Sequence, residues 1–487
     1  MSPDPAPDLA SRRSAMRTLG RLAAAPLAAT LAAPSRAQGK PGAAYTLRAA
    51  PAKRHIAGAG YPDTPVWAYN ATVPGPVLRV RQGERLSVQV TNDLAEETTV
   101  HWHGLRIPNA MDGVPHLTQP PVAARGGRFD YAFVCPDAGT FWYHPHARGH
   151  VQVDMGLHGA LIVEEHEPIP VSRDVLWVLD DWRLAKDASI AGDFGAMFDT
   201  AHGGRIGNTV TINGVVPDRF EVTSGERIRL RLLNVANARV FSLAFEGHSP
   251  YVIALDGMPC EPHAPDGGRI VLGPGMRADV ILEASQPPGS TQRVIDDFTR
   301  GDAYRVVTIG YRAGAVAQAP PATRAIRLVA NPVPEPDLER AERHAVTLSG
   351  GMMGGMMGGA MMGRGMGGGM GRGMTGGAIW ALNGRSASET DHSHAPLLTL
   401  ARGRSHLIEL RNDTAWWHPI HLHGHSFRIV ARNGRALARR DLVDTSLLAP
   451  RETAQIAFVA DNPGDWMFHC HVLEHQAGGM MATVRVA

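Results

Sequence analysis

The sequence predicts an all-β protein made of three antiparallel β-sandwiches, and three observations support that class. First, a short unit recurs: Gly83 is followed nine residues later by Asn92, Gly225 by Asn234 and Gly403 by Asn412. Second, apolar and polar residues alternate between each Gly and Asn, in GERLSVQVTN, GERIRLRLLN and GRSHLIELRN, which is the period of a half-buried strand. Third, helical periodicity is scarce elsewhere, whereas short strand-like runs bounded by Gly and Pro are frequent.

Taken in order, residues 1–37 read as an export leader and lie outside the sandwiches. Ser11-Arg12-Arg13-Ser14-Ala15-Met16-Arg17 is a twin-arginine pattern, Leu22 to Ala33 is an apolar stretch, and Ser35-Arg36-Ala37 suits cleavage. The apolar stretch is too short to span a bilayer, so no integral membrane span is expected. The reading places the mature protein in the periplasm or outside the cell, with the twin-arginine export machinery as a partner. The leader carries five Arg and two Asp, so the formal charge of +2 becomes −1 for the rest. A near-neutral chain gives no electrostatic reason to bind nucleic acid or an anionic membrane.

The repeat divides the remainder into units at 41–168, 169–322 and 323–487. An Asn precedes the strand in each copy (Asn70, Asn213, Asn383), followed by Gly in the second and third, as tight turns require. Three cysteines, Cys135, Cys260 and Cys470, are too few for a disulfide framework. Cys135 and Cys260 are readable either as a pair or, preferably, as buried thiols.

Histidines carry the chemistry. A lone His-x-His pair is weak in a chain with 23 histidines, but four pairs fall in two related settings. His101-Trp102-His103 and His144-Pro145-His146 lie in the first copy, and His421-Leu422-His423 and His469-Cys470-His471 in the third. The second copy has neither motif. Residues i and i+2 of a strand share a face, so each pair aims two imidazoles at one place and Cys470 faces away from its neighbours. Eight imidazoles from two copies suffice for three metal ions at an interface. His418 has the opposite parity to His421, and with Cys470, His475 and Met480 it completes a His-Cys-His-Met set, which suits an electron-transfer copper.

These residues resemble the multicopper oxidase family of laccases and bacterial cuprous oxidases. The resemblance rests on HWHG, HPH, HPIHLHGHSF and HCHVLEHQAGGMM, with DNPGDW leading into the last and INGVVPDRF and LGPGMRADV in the second copy. It implies three cupredoxin-like Greek-key sandwiches holding four copper ions. By position, His418, Cys470, His475 and Met480 hold the type 1 copper, and His101 and His421 the type 2 copper. His103, His144, His146, His423, His469 and His471 hold the type 3 pair. It also implies one-electron oxidation of Cu(I) or a phenolic donor, coupled to reduction of O2 to water. Asp112, in MDGVP, matches a family acid and is expected to relay protons, the alternative being a turn-capping Asp.

Direct alignment of the two His-bearing copies puts Pro145 on Cys470, His150 on His475, Met155 on Met480 and Thr98 on His418. The first copy therefore lacks a thiolate site, which argues against a copper nitrite reductase, and His150 and Met155 read as structural. A second family acid falls here on Gln476, which does not titrate, and Glu474 has the wrong strand parity to replace it simply.

Residues 350–377 are nearly all Gly and Met. Met352, Met353, Met356, Met357, Met361, Met362, Met366, Met370 and Met374 resemble the Met-rich insert of cuprous oxidases and suit Cu(I), with a bland or oxidation-scavenging insert as the alternative. His392 and His394 follow it in what reads as a solvated loop. Cuprous oxidases place an acid and a Met where this chain has Thr414 and Trp416, so that fixed substrate site is not matched; Trp416 and Trp417 instead suggest an apolar rim suited to phenols. Two other readings stand beside the oxidase: a copper-free scaffold on the same fold, and a copper-storage protein acting through the Met tract.

Overall fold

Each repeat of the sequence folds as two sheets that share one apolar core. The computed structural model describes residues 42–319, 325–352, 379–388 and 395–487. The leader expected at 1–37, His392, His394 and every methionine of the Met tract except Met352 lie outside the described residues. Lys40–Ala487 is one unit, and the description concerns that unit.

In the first copy, one sheet has the order Thr64–Tyr69, Ala44–Arg54, Arg85–Asn92, Gly127–Val134, and the other Leu78–Arg81, Gly159–Glu164, Gly139–His144, His101–His103. The third copy repeats the second of these as Leu398–Leu400, Met481–Val486, Gly464–Cys470, His418–Leu422, with Thr445–Leu448 added at the edge. The second copy pairs a six-stranded with a five-stranded sheet. Leu86, Val88 and Trp102 belong to the first core, Leu230 and Leu243 to the second, and Leu410, Trp466 and Phe468 to the third. Among the described residues only three short α-helices occur: Gly149–Gln152, Met197–Ala201 and Leu473–Ala477.

The sequence repeat is an atomic repeat. Gly83, Gly225 and Gly403 have φ of 78°, 87° and 73°, the left-handed region that favours glycine. The strand-ending Asn then caps the following turn with its side chain. Asn92, Asn234 and Asn412 accept from the backbone N–H two residues on, each at 3.0 Å, and donate to carbonyls across the turn, those of Glu96, Arg239 and Trp416. Asn70, Asn213 and Asn383 each accept from one N–H of the copy's first strand and donate to a carbonyl two residues before it.

Two expectations need correction. The sandwiches are not purely antiparallel, because each of the six sheets contains one parallel pair, such as Ala44–Arg54 with Arg85–Asn92. Alternation reports which face a residue takes, not the direction of the neighbouring strand, and Greek-key crossovers supply the parallel pairs. Nor is the repeated strand half-buried in the second copy: Arg227–Asn234 is buried on both faces. Its Arg229 and Arg231 both bond Asp279, while Arg229 pairs with Glu165 and Arg231 reaches Thr140 of the first copy, so pairing within the copy and across the interface replaces exposure.

The cysteines are all free: Cys135 is a buried thiol as expected, whereas Cys260 is a thiol that is only partly buried.

Candidate metal centre

Two adjacent strand pairs build the centre. In the first copy His101 lies opposite His144. In the third, His421 lies opposite His469, and Ile420 opposite Cys470. Both strand pairs end at these residues, so His146 and His471 continue just past the last rung; His471 is held there by its N–H to the Pro419 carbonyl at 2.7 Å. The expected parity holds for Cys470, which lies in the third core while its neighbours turn the other way.

All eight paired histidines are buried and converge. His101 stacks on His423 and His103 on His421, each with ring centroids 3.8 Å apart. Ring nitrogens of His101, His103 and His421 lie within 4.8 Å of one another, as do those of His101, His146 and His423, of His103, His144 and His471, and of His421, His423 and His469.

The hydrogen bonds fix which nitrogen faces inward. His101 Nδ1 is bound to the Asp112 carbonyl at 2.7 Å, His144 Nδ1 to the Pro145 carbonyl at 3.0 Å, and His469 Nδ1 to the Cys470 carbonyl at 2.9 Å. A carbonyl only accepts, so each of these nitrogens carries the proton. His423 Nδ1 meets Asp112 Oδ2 at 2.9 Å, and His421 Nδ1 the Asp444 carbonyl at 2.9 Å. His103 is reversed: its Nε2 meets Asp444 Oδ1 at 3.1 Å. What remains is a set of buried atoms without hydrogen-bond partners: Nε2 of His101, His144 and His421, Nδ1 of His103, and both nitrogens of His146 and His471. His423 and His469 face each other through their Nε2 atoms, 3.1 Å apart. Orphaned buried lone pairs are costly unless a cation takes them. Burial first, then neighbouring imidazoles, hold His103, His144, His146, His423, His469 and His471 well below the usual histidine range. They are therefore neutral, as ligation requires. The donor set fits a cluster of soft-to-borderline metal ions.

The thiolate pocket lies on the other face. Cys470 Sγ is 3.5 Å from His418 Nδ1 and 3.7 Å from His475 Nδ1, and these two nitrogens are 3.1 Å apart. His475 Nε2 donates to the His202 carbonyl at 2.7 Å. His418 Nε2 donates to the Thr414 hydroxyl at 2.8 Å, which donates in turn to the repeat residue Asn412. Thr414, unmatched to the acid of cuprous oxidases, thus orients a ligand. Met480 is buried, and its carbonyl accepts from the Cys470 N–H at 3.0 Å. Trp380 closes the pocket, with its ring 4.3 Å from His475 and 5.1 Å from His418. Burial pushes the Cys470 thiol well up and lowers His475 to about 3, so proton loss from the thiol depends on a bound cation.

Other singled-out residues fall as follows. Glu474 and Gln476 are buried on the helix Leu473–Ala477; Glu474 accepts from the Arg205 N–H at 3.1 Å and from Asn237 at 3.3 Å. Burial raises Glu474 to about 7. Thr98 bonds Gln152 at 2.7 Å, and the carbonyl of His150 accepts from Asn237, so the aligned region of the first copy is a polar contact. Met352, half exposed, is tied by its backbone to Ala201 and to Trp416 Nε1. The Met tract therefore leaves the described chain beside the thiolate pocket.

Sequence reasoning missed Asp444, which contacts His103 and His421, and Arg277 and Asp256, which hold Asp444. Against the burial that would raise it, the Arg277 charge and the His421 contact hold the Asp444 carboxyl well below the usual range.

Three family models described as multicopper oxidase match residues 52–168, 173–293 and 371–487. A multicopper oxidase of Mycobacterium tuberculosis is 30% identical over 479 residues, covering 89% of this chain and 85% of that one. The crystal structure of a multicopper oxidase from Pseudomonas thermotolerans superposes with a TM-score of 0.79 at 35% identity, over 91% of this chain and 99% of that one. A Campylobacter jejuni multicopper oxidase, described as a metallo-oxidase, superposes with a TM-score of 0.73 at 26% identity, over 91% of each chain.

Proposed function

The chain belongs to the multicopper oxidase family, and as such is a copper oxidoreductase; we propose that it couples one-electron oxidation of Cu(I), with phenols as a further donor class, to four-electron reduction of O2 to water. The observation that carries this reading is the pairing of two sites on one tripeptide: Cys470 in a buried His-Cys-His pocket, and His469 and His471 in a cluster of orphaned imidazole nitrogens. In this reading His418, Cys470, His475 and Met480 would hold one copper. His101 and His421 hold a second, and His103, His144, His146, His423, His469 and His471 hold a pair. Copper bound in this way supplies single-electron acceptance at the thiolate and O2 reduction at the cluster.

The chain's own residues set the conditions. Backbone and side-chain acceptors pin the ligand tautomers, so little reorganisation is needed when metal binds. Residues 469–471 connect the two sites through covalent bonds. Asp112, buried and in contact with both His101 and His423, holds a proton-accepting group at the cluster edge. The reading of the donor as Cu(I) draws on the nine methionines of the tract, on the exit of that tract beside Trp416, and on the description of the Campylobacter jejuni relative. Copper tolerance is the physiological role we propose, and the twin-arginine pattern supports export to the periplasm or outside the cell. Among the described residues no helix is long and apolar enough to cross a membrane. Phenol oxidation is favoured by an aromatic patch beside the thiolate pocket, where exposed Phe198 stacks on His202 and His202 meets Trp416, while Trp417 turns instead to Phe298.

Purified protein is expected to hold four coppers and an intense visible thiolate band; their absence rejects the oxidase in favour of a scaffold or storage protein. Steady-state rates with Cu(I) and with a phenol, with and without Cu(II), then rank the donors. Removal of 350–377 is expected to reduce Cu(I) oxidation selectively, and an unchanged rate overturns the role given to the tract.

A further inference from the structure

The second copy donates no ligand, yet its strand Arg277–Glu283 begins at the cluster. Arg277 is fully buried, and its guanidinium grips Asp444 with two bonds: Nη1 to Oδ1 at 3.0 Å and Nη2 to Oδ2 at 2.6 Å. Asp256, also of the second copy, accepts from the N–H groups of Asp444 and Thr445 at 3.3 and 3.1 Å, and from the Arg277 N–H at 2.9 Å. Both the side chain and the backbone of residue 444 are thus fixed from a neighbouring copy. Asp444 Oδ1 in turn faces His103 Nε2 at 3.1 Å, His421 Nδ1 at 3.3 Å and the Thr445 hydroxyl at 2.7 Å.

We propose that Asp444, clamped by Arg277, is a second positioning carboxylate of the imidazole cluster, and that this clamp is how the ligand-free copy serves the site. The proposal rests on the copper reading above. Its argument is one of complementarity. The two inward atoms without partners on this stacked pair are Nδ1 of His103 and Nε2 of His421. They are the opposite ring positions from those that Asp444 contacts. Through its carboxylate on His103 Nε2, and its backbone carbonyl on His421 Nδ1 at 2.9 Å with the carboxylate 3.3 Å away, the one residue Asp444 therefore selects different tautomers for two neighbouring rings, one from each ligand-bearing copy. Asp112 brackets the other stacked pair, His101 and His423, but meets Nδ1 of both rings. Asp444 also has a bidentate arginine behind it, which holds it as an acceptor for both rings. Asp444 therefore suits fixed geometry.

The test uses the full-length, copper-loaded protein. Asp444→Asn and Arg277→Gln are expected to weaken copper retention at the cluster by about 10–100-fold, read by dialysis against a graded chelator. The thiolate band and its copper should persist, and the electron paramagnetic resonance signal of the type 2 copper should change shape. Arg277→Lys, which keeps charge but loses the fork, should fall between wild type and Arg277→Gln. Thr445→Val removes one contact to Asp444 and provides a mild variant if the others fail to fold; it should shift the same signal by a smaller amount. Wild-type protein without cluster copper sinks the copper reading itself. Wild-type protein with a full cluster, and variants with unchanged retention and signal, overturn the clamp.

Discussion

The first and third copies place the same elements around the same turn, and only one of them builds a His-Cys-His pocket. In both, a strand pair aligns a His from each strand, a short helix follows, and a Met comes next. In the third copy the turn presents Cys470 to His418 and His475. In the first, Pro145 replaces the thiol, Thr98 replaces the imidazole, and Thr98 satisfies Gln152 instead. The imidazole cluster uses both copies nearly symmetrically, whereas the thiolate pocket belongs to one. The difference teaches that a shared sandwich positions ligands generically, and that two side chains decide whether the outward face of the turn can bind metal.

The largest expected effect breaks this asymmetry. Cys470→Ser makes the third copy resemble the first: the visible band should vanish and turnover fall to background, while copper analysis still finds the cluster filled. Sustained turnover would mean that electrons reach the cluster without the thiolate. Next, Asp112→Asn should slow O2 consumption by roughly 10²–10⁴-fold, the range for loss of a proton-transfer group. Stopped-flow reduction of the thiolate copper should be unaffected, because Asp112 touches only the cluster. Loss of cluster copper in this variant would instead make Asp112 a positioning group like Asp444.

Much of this was legible because the chemistry is contiguous. Four His-x-His motifs, one Cys and the parity of a strand specify which side chains meet, and the nine-residue Gly-to-Asn spacing marks three copies. Asp112 was legible because it follows HWHG closely. Asp444, Asp256 and Arg277 were not: Asp256 and Asp444 are single acids at turns between strands, Arg277 sits in LGPGMRADV with nothing to mark its role, and only the tertiary fold brings residues 256, 277 and 444 together. The His202 carbonyl that orients His475 is backbone, so no residue type announces it. The parallel strand pairs were hidden for a similar reason, since the side-chain period is the same in either direction.

A smaller effect tests whether the second copy only supports the cluster from a distance. Gly275 has φ of 82°, and a Cβ there would lie 2.9 Å from His471 Cδ2 and 3.0 Å from His103 Cε1. Gly275→Ala therefore combines a left-handed backbone with direct pressure on two ligands. It should cost about 1–3 kcal/mol of stability. Thermal unfolding with and without copper measures it: the loss should be greater with copper bound, because the displaced groups are ligands. An equal loss in both states would confine the effect to the backbone.

The smallest effect returns to the copies themselves. The turn Asn213-Gly214 has φ of 54° and 75°, and Asn383-Gly384 has 50° and 71°. The first copy forces Ala71 into the same region, at φ of 58°. A left-handed Ala costs about 1–2 kcal/mol relative to its preferred conformations, and Gly in its place adds unfolded-chain entropy of about 0.4–1 kcal/mol. Ala71→Gly should accordingly stabilise the protein by a few tenths to about 1 kcal/mol in denaturant unfolding. Gly384→Ala should lose a similar amount, since nothing lies within 4 Å of its Cβ position. Gly214→Ala should lose more, because its Cβ would lie 2.2 Å from the Val73 carbonyl oxygen. If all three substitutions had the same magnitude, the turns would be interchangeable and the contact between Gly214 and the first copy would carry no weight; a graded series shows that the second copy's turn is constrained by its neighbour as well as by its own backbone.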